Sequence, residues 1–194
     1  MATDNYKKHT SQNPIQKFLI ERFLDALLFE IAALNPERIL DAGCGEGFTL
    51  EKLRIAGIGK SLEGIDAYAD AVRLGAETHP KLHLREGSIY SLPYKDNAFD
   101  VVVCTEVLEH LERPEDALKE LYRVSSRFCV ITVPNEPFFQ TANFLRGKNL
   151  SRWGNDIEHI QHWSTRGIAK CIGTLFKVRK VRAPFPWSLV VAEK

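Results

Sequence analysis

The sequence predicts a doubly wound α/β fold with a mainly parallel sheet and helices on both faces. Three observations predict it. The stretch Ile39-Leu40-Asp41-Ala42-Gly43-Cys44-Gly45-Glu46-Gly47 runs a short apolar strand into a glycine turn, and Phe48 to Leu53 then reads as helix. A second strand, Ser61 to Asp66, ends on a carboxylate about 20 residues past that turn, the spacing at which such folds present an acidic group to a ribose. Beyond it, short apolar runs alternate with helical patterns to the end of the chain. At 194 residues the chain suffices for one domain with a full core, so 1–194 is read as a single domain.

The elements follow in order. Met1 to Pro14 is polar and reads as mobile without a ligand; it is either a solvated tail or a lid with Tyr6 as an aromatic cover. Pro14 opens a helix in which Ile15, Phe18, Leu19, Arg22, Phe23, Ala26, Leu27 and Ala33 keep helical spacing. Arg38-Ile39-Leu40 is apolar enough for a strand covered on both faces. Gly43, Gly45 and Gly47 permit positive φ, and their turn is expected to aim free backbone N–H groups into a crevice at the strand's carboxyl end. Asp66 precedes a helix predicted over Ala67 to Thr78 and also suits its N-cap. Leu82 to Ser88 reads as strand three, Ser91 to Asp100 as a loop, and Val101-Val102-Val103-Cys104 as strand four. A helix is predicted from Pro114 to Val124, with Pro at its start and acids in its first turn. Phe128 to Val133 is strand five, Ser164 or Thr165 caps a helix reaching Leu175, and Lys177–Arg182 with Leu189–Ala192 close the chain as two strands.

The formal net charge is +1, so no overall field draws the chain to nucleic acid or to a membrane. No apolar run is long enough to span a bilayer, and the N-terminus lacks the apolar core of a signal peptide. Cys44, Cys104, Cys129 and Cys171 are widely spaced and form no CxxC pair, which suits buried thiols in a cytoplasmic protein.

The glycine turn is not a dinucleotide fingerprint. G-x-G-x-x-G wants a third glycine where Phe48 stands, so a nicotinamide oxidoreductase is disfavoured. The pattern present, D-x-G-x-G-x-G, together with Asp66 and the run Phe99-Asp100-Val101-Val102, resembles the class I S-adenosylmethionine-dependent methyltransferases of small-molecule type, over roughly Glu37 to Pro134. The resemblance implies seven strands with the last antiparallel, S-adenosylmethionine as cofactor and S-adenosylhomocysteine as product. It implies Asp41, Gly43 and Gly45 at the amino-acid end of the cofactor, with Cys44 in the same turn, and Asp66 on the ribose with Ala67 beside it. Ser88 and Ile89 would flank the adenine, and Thr105 would close the contact set from the end of strand four. Family members commonly carry an acid at the position of Ser88, so here adenine would be held by backbone groups and apolar walls.

Thr105-Glu106-Val107-Leu108-Glu109-His110-Leu111 follows strand four directly. If a helix begins there, Glu106, Glu109 and His110 share one face. His110 is the candidate base for a hydroxyl acceptor, with Glu106 beside it. The E-x-x-E-H run also resembles the divalent-metal motif of quinone-biosynthesis O-methyltransferases and of small-RNA 2′-O-methyltransferases, with His159 or His162 as a candidate fourth ligand. The reading adopted here needs no metal and no nucleic acid: a small-molecule acceptor, O- or N-methylated by a monomer or homodimer. The metal-assisted RNA enzyme, leaning on Arg146, Lys148, Arg152, Lys177, Arg179 and Lys180, is the alternative, and a non-catalytic cofactor-binding subunit is the alternative of another class. Residues 1–35 are read as N-terminal lid and helix, and 135–164, with Phe138, Phe139 and Trp153, as an insertion over the acceptor.

Overall fold

The computed structural model describes residues 3–136 and 159–194. The N-terminal segment is not extended: Asp4–His9 forms helix α1, and Pro14–Ala33 forms α2, capped by the Asn13 side chain on the N–H groups of Ile15 and Gln16. Then follow β1 (Arg38–Ala42), α3 (Phe48–Ile55), β2 (Ser61–Asp66), α4 (Ala69–Thr78), β3 (His83–Glu86), β4 (Phe99–Thr105), a 3₁₀ turn (Leu108–His110), α5 (Pro114–Val124), β5 (Ser125–Pro134), α6 (Thr165–Ile172), β6 (Lys177–Arg182) and β7 (Trp187–Glu193).

The seven strands form one sheet in the order β3-β2-β1-β4-β5-β7-β6. β1 to β5 run parallel, and β7 lies antiparallel between β5 and β6. Alternation along the central strands splits the core in two. Leu40, Ala42, Val102, Cys104 and Ile131 face α5 and α6. Ile39, Val101, Val103 and Val130 face α2 and α3. Strand order reverses between β1 and β4, so a crevice opens at their carboxyl ends. No helix among the described residues is long and apolar enough to cross a membrane, and all four cysteines are free.

Several boundaries differ from expectation. α4 starts at Ala69, because the Asp66 carboxylate binds the Tyr68 N–H and holds two residues outside the helix. Ser125-Ser126-Arg127, ahead of the strand predicted from Phe128, already belongs to β5. Along α2, Phe23 and Leu27 are buried as their spacing suggests, whereas Ile15 and Phe18 point to solvent.

The loop between β3 and β4 is fastened by two residues of α5, Arg123 and Glu120. Arg123 donates to the carbonyls of Tyr94 and Leu92 at 2.7 and 2.9 Å, and to Asp96 at 3.0 Å. Glu120 receives the same guanidinium at 2.7 Å and accepts from the Leu92 N–H at 2.8 Å. These are charge-assisted bonds to partners with few alternatives. Arg123→Leu is therefore expected to lower unfolding stability by about 1–3 kcal/mol in urea titration. The loop, not the sheet, should lose amide protection first.

Candidate active site

The turn after β1 has the predicted backbone but not the predicted donors. Gly43, Gly45 and Gly47 have φ of 88°, 53° and 82°. At Gly43 a Cβ would fall 2.2 Å from a methyl of Val107, so the glycine lets the turn close against the segment after β4. The amides, however, are spent inside the protein. Gly43 and Cys44 donate to the Ile65 carbonyl at 2.8 and 3.1 Å, Gly47 donates to Cys44, and Gly45 donates to the Asp66 carboxylate at 2.7 Å. The expectation of free N–H groups is corrected for these four amides.

What faces the crevice is acceptor-rich. Asp41, at the end of β1, is fully buried, and neither of its oxygens has a hydrogen-bond partner among the described residues. Burial, reinforced by the nearby Asp66 carboxylate, pushes the Asp41 carboxyl up to about 7. Asp66 accepts one N–H on each oxygen, from Gly45 and from Tyr68, which leaves each a further lone pair. Glu46, inside the turn, is buried too.

The segment after β4 also departs from expectation. Residues 105–111 form no α-helix. Glu106 takes φ of 58°, and only Leu108–His110 makes a short 3₁₀ turn. Glu106, Glu109 and His110 therefore do not share a helix face. The Glu106 carboxylate accepts from the Trp187 indole at 2.6 Å and from Lys8 at 3.4 Å. Glu109 is buried with both oxygens unpartnered among the described residues, and desolvation, aided by Glu106, holds its carboxyl well above the usual range.

His110 is exposed and packs edge-on to His159, ring centroids 5.1 Å apart. The Glu109 carbonyl accepts from Ile160 and Gln161, which brings the 159–161 segment onto the 3₁₀ turn. Glu136 fixes His159 through Nδ1 at 2.7 Å. Glu109, His110 and His159 can present one ligand atom each within 4.8 Å of one another, a set able to hold a cation. His162 lies farther from Glu136, at 3.7 Å.

α1 lies across this crevice. Asn5 donates to Glu46 at 2.6 Å, and Thr3 also hydrogen-bonds Glu46. The Asn5 amide is 2.9 Å from where a Gly45 Cβ would stand. His9 stacks on Phe48 at 4.5 Å, and Tyr6 tilts onto the same ring at 5.8 Å. Burial, with Lys8 and Lys52 nearby, pushes the His9 imidazole down to about 3, so it stacks as a neutral ring.

The remaining sequence-predicted residues fall around the same end of the sheet. Cys44 is buried in the turn, Ala67 is exposed after β2, and Thr105 is half-buried at the end of β4. Ser88 accepts from the Tyr90 N–H at 3.2 Å, and Ile89 is buried beneath it. The sequence reading missed Asn5, Glu46 and Trp187 as site-lining groups. Their local patterns are ordinary, and only the pairing of distant elements brings them here. Phe138, Phe139, Arg146, Lys148, Arg152 and Trp153 lie outside the described residues.

Residues 40–127 match a family described as a methyltransferase domain. An uncharacterized methyltransferase of Schizosaccharomyces pombe is 39% identical over 102 residues, covering 47% of this chain and 37% of that protein. The mitochondrial ubiquinone biosynthesis O-methyltransferase of the same yeast is 33% identical over 123 residues, 57% of this chain and 43% of that one. The chain thus spans roughly two fifths of the length of these curated relatives. Among solved structures, magnesium protoporphyrin IX methyltransferase from Synechocystis PCC 6803, with bound S-adenosylhomocysteine, superposes with a TM-score of 0.72 at 18% identity, covering 94% of this chain and 88% of that one. That likeness establishes the fold.

The Asp41 carboxyl sets a pH dependence. In the unfolded chain it loses its proton near pH 4, in the folded protein only near 7. The folded state therefore holds the extra proton in between, and its stability falls as pH rises through that window and levels off above it. Asp41→Asn is expected to flatten this decline and to raise stability at pH 8, by at most on the order of 4 kcal/mol. Urea unfolding at pH 5 and pH 8 reads it.

Proposed function

We propose that this chain, whose residues 40–127 match a methyltransferase domain, is a class I S-adenosylmethionine-dependent methyltransferase. One observation carries the reading. The crevice at the β1–β4 switch point is rich in buried carboxylates while the Gly43, Cys44, Gly45 and Gly47 amides are already engaged, which suits a ligand bearing an ammonium and a sulfonium better than a pyrophosphate. The unpaired Asp41 carboxylate matches the ammonium of an amino acid, and the free lone pairs of Asp66 match a ribose diol. Gly43, Cys44 and Gly45 form the wall at the amino-acid end. Ala67, Ser88 and Ile89 frame the adenine, and Thr105 closes the set from β4.

When bound, the cofactor supplies an already activated methyl group. The protein then has to align the acceptor with the methyl–sulfur bond and exclude water. His110, exposed at the crevice rim, is placed to take the proton from an acceptor hydroxyl, and Glu136 sets the ring position of its neighbour His159. Glu106 acts at one remove, holding Trp187 and Lys8. Residues 1–35 serve as lid and helix and 135–164 as the acceptor cover. We read the acceptor as a small molecule, in keeping with the quinone-directed relative, and the chain as cytoplasmic, in keeping with its free thiols. An RNA acceptor finds little support: on β6, Lys180 is paired with Glu30 and Arg179 with Glu193.

A second reading rests on Glu109, His110 and His159. Two imidazoles and a buried carboxylate are a donor set for a divalent cation, which would polarise an acceptor oxygen there. In that case His110 is a ligand and not a base.

Calorimetry with S-adenosylmethionine and S-adenosylhomocysteine separates these readings. Both should bind in the micromolar range, and Asp66→Ala should weaken them by about 1–3 kcal/mol, the scale of lost bonds to a charged group. Unchanged affinity in that variant removes Asp66 from the site, and no binding by the parent chain defeats the proposal. Manganese binding that is lost in His159→Ala selects the metal-assisted reading.

A further inference from the structure

α2 is apolar on two opposite sides. Ile20, Phe23, Leu24, Leu27 and Ile31 are buried in the core. On the far side Ile15 is 70% exposed, Phe18 56% and Phe29 60%, and Arg22, Asp25 and Ala32 are exposed with them. A surface helix ordinarily carries polar residues on that side. Ile15, Phe18, Arg22, Asp25, Phe29 and Ala32 are spaced alternately by three and four residues, the interval of a helix–helix seam.

The seam is its own complement when run antiparallel. A twofold axis passing between Phe23 and Leu24 sets Phe18 against Phe29 of a second copy, Ile15 against its Ala32 and Arg22 against its Asp25. Each contact then occurs twice, as an isologous interface requires. The aromatic layers flank a central pair of opposite charges, and that pair fixes the register.

We propose that this chain forms a twofold homodimer through the exposed seam of α2, with the two helices antiparallel and Arg22 of each copy paired with Asp25 of the other. The charges around the seam favour a second copy over an anionic membrane. Lys17 and Arg22 are balanced by Glu21 and Asp25, whereas a membrane-surface helix carries a basic excess. Lys180 and Arg182, which lie over the Phe29 ring, are already paired with the buried Glu30. A helix of 20 residues is roughly 30 Å long. Two such helices bury less than the about 1,600 Å² of a standard interface, so the dimer is reversible and its population follows concentration.

Sedimentation velocity of the full chain over a concentration series tests it. The parent chain should pass from monomer to dimer. Arg22→Asp and Asp25→Arg each set like charges face to face and should raise the dissociation constant by about tenfold or more. The double exchange Arg22→Asp with Asp25→Arg should restore the parent value, a rescue that loss of folding cannot imitate. A parent chain that stays monomeric at every concentration overturns the proposal. So does a dimer indifferent to both single exchanges, and so does a monomer that sediments with phosphatidylglycerol vesicles through Phe18 and Phe29.

Discussion

Concentrated negative charge with few donors is the constraint on which the carboxyl end of this sheet depends. Asp41, Glu46, Asp66 and Glu109 are all buried around the crevice, and Glu106 stands beside them. The turn amides that relieve such charge in other α/β folds are engaged with Ile65, Cys44 and Asp66. Carboxylates this close cannot all ionise without compensation. The chain meets the problem in three ways. Asp41 and Glu109 have carboxyls shifted upward, Glu46 is covered by Thr3 and Asn5, and Glu106 is held by Lys8 and the Trp187 indole. A cationic ligand would relieve what remains.

This explains why the N-terminal segment is ordered as a helix. A polar run such as Asn5-Tyr6-Lys7-Lys8-His9 has little intrinsic reason to fold, and six residues are too few for a stable isolated helix. Its order comes from the site. Asn5 answers Glu46, Lys8 answers Glu106, and His9 with Tyr6 closes on Phe48. Under the proposed function, a ligand entering the crevice would meet the same carboxylates that hold α1.

The features legible in the sequence are those set by local chemistry. The apolar run at Ile39, the glycines after Asp41 and the carboxylate at Asp66 each mark one end of a strand, and together they point to the crevice. The residues that were not legible depend on pairings between distant segments. Nothing in the sequence around Glu106 signals a positive φ, which arises where its N–H is drawn to Thr132 on β5. The fate of the turn amides hinges on Ile65, a partner more than 20 residues away. The two-sided apolar pattern of α2 was visible as helical spacing, yet spacing alone does not say which side the sheet takes.

Under the proposed function an S-adenosyl ligand occupies the acceptor-lined crevice at the β1–β4 switch point. Hydrogen exchange of the protein with and without S-adenosylhomocysteine addresses it most directly, because it reports place as well as binding. New protection is expected to be confined to 43–47, 65–68 and 88–89, with a change in 4–9 as α1 adjusts. Saturating ligand that leaves these segments untouched, or that protects a different part of the sheet, would contradict it.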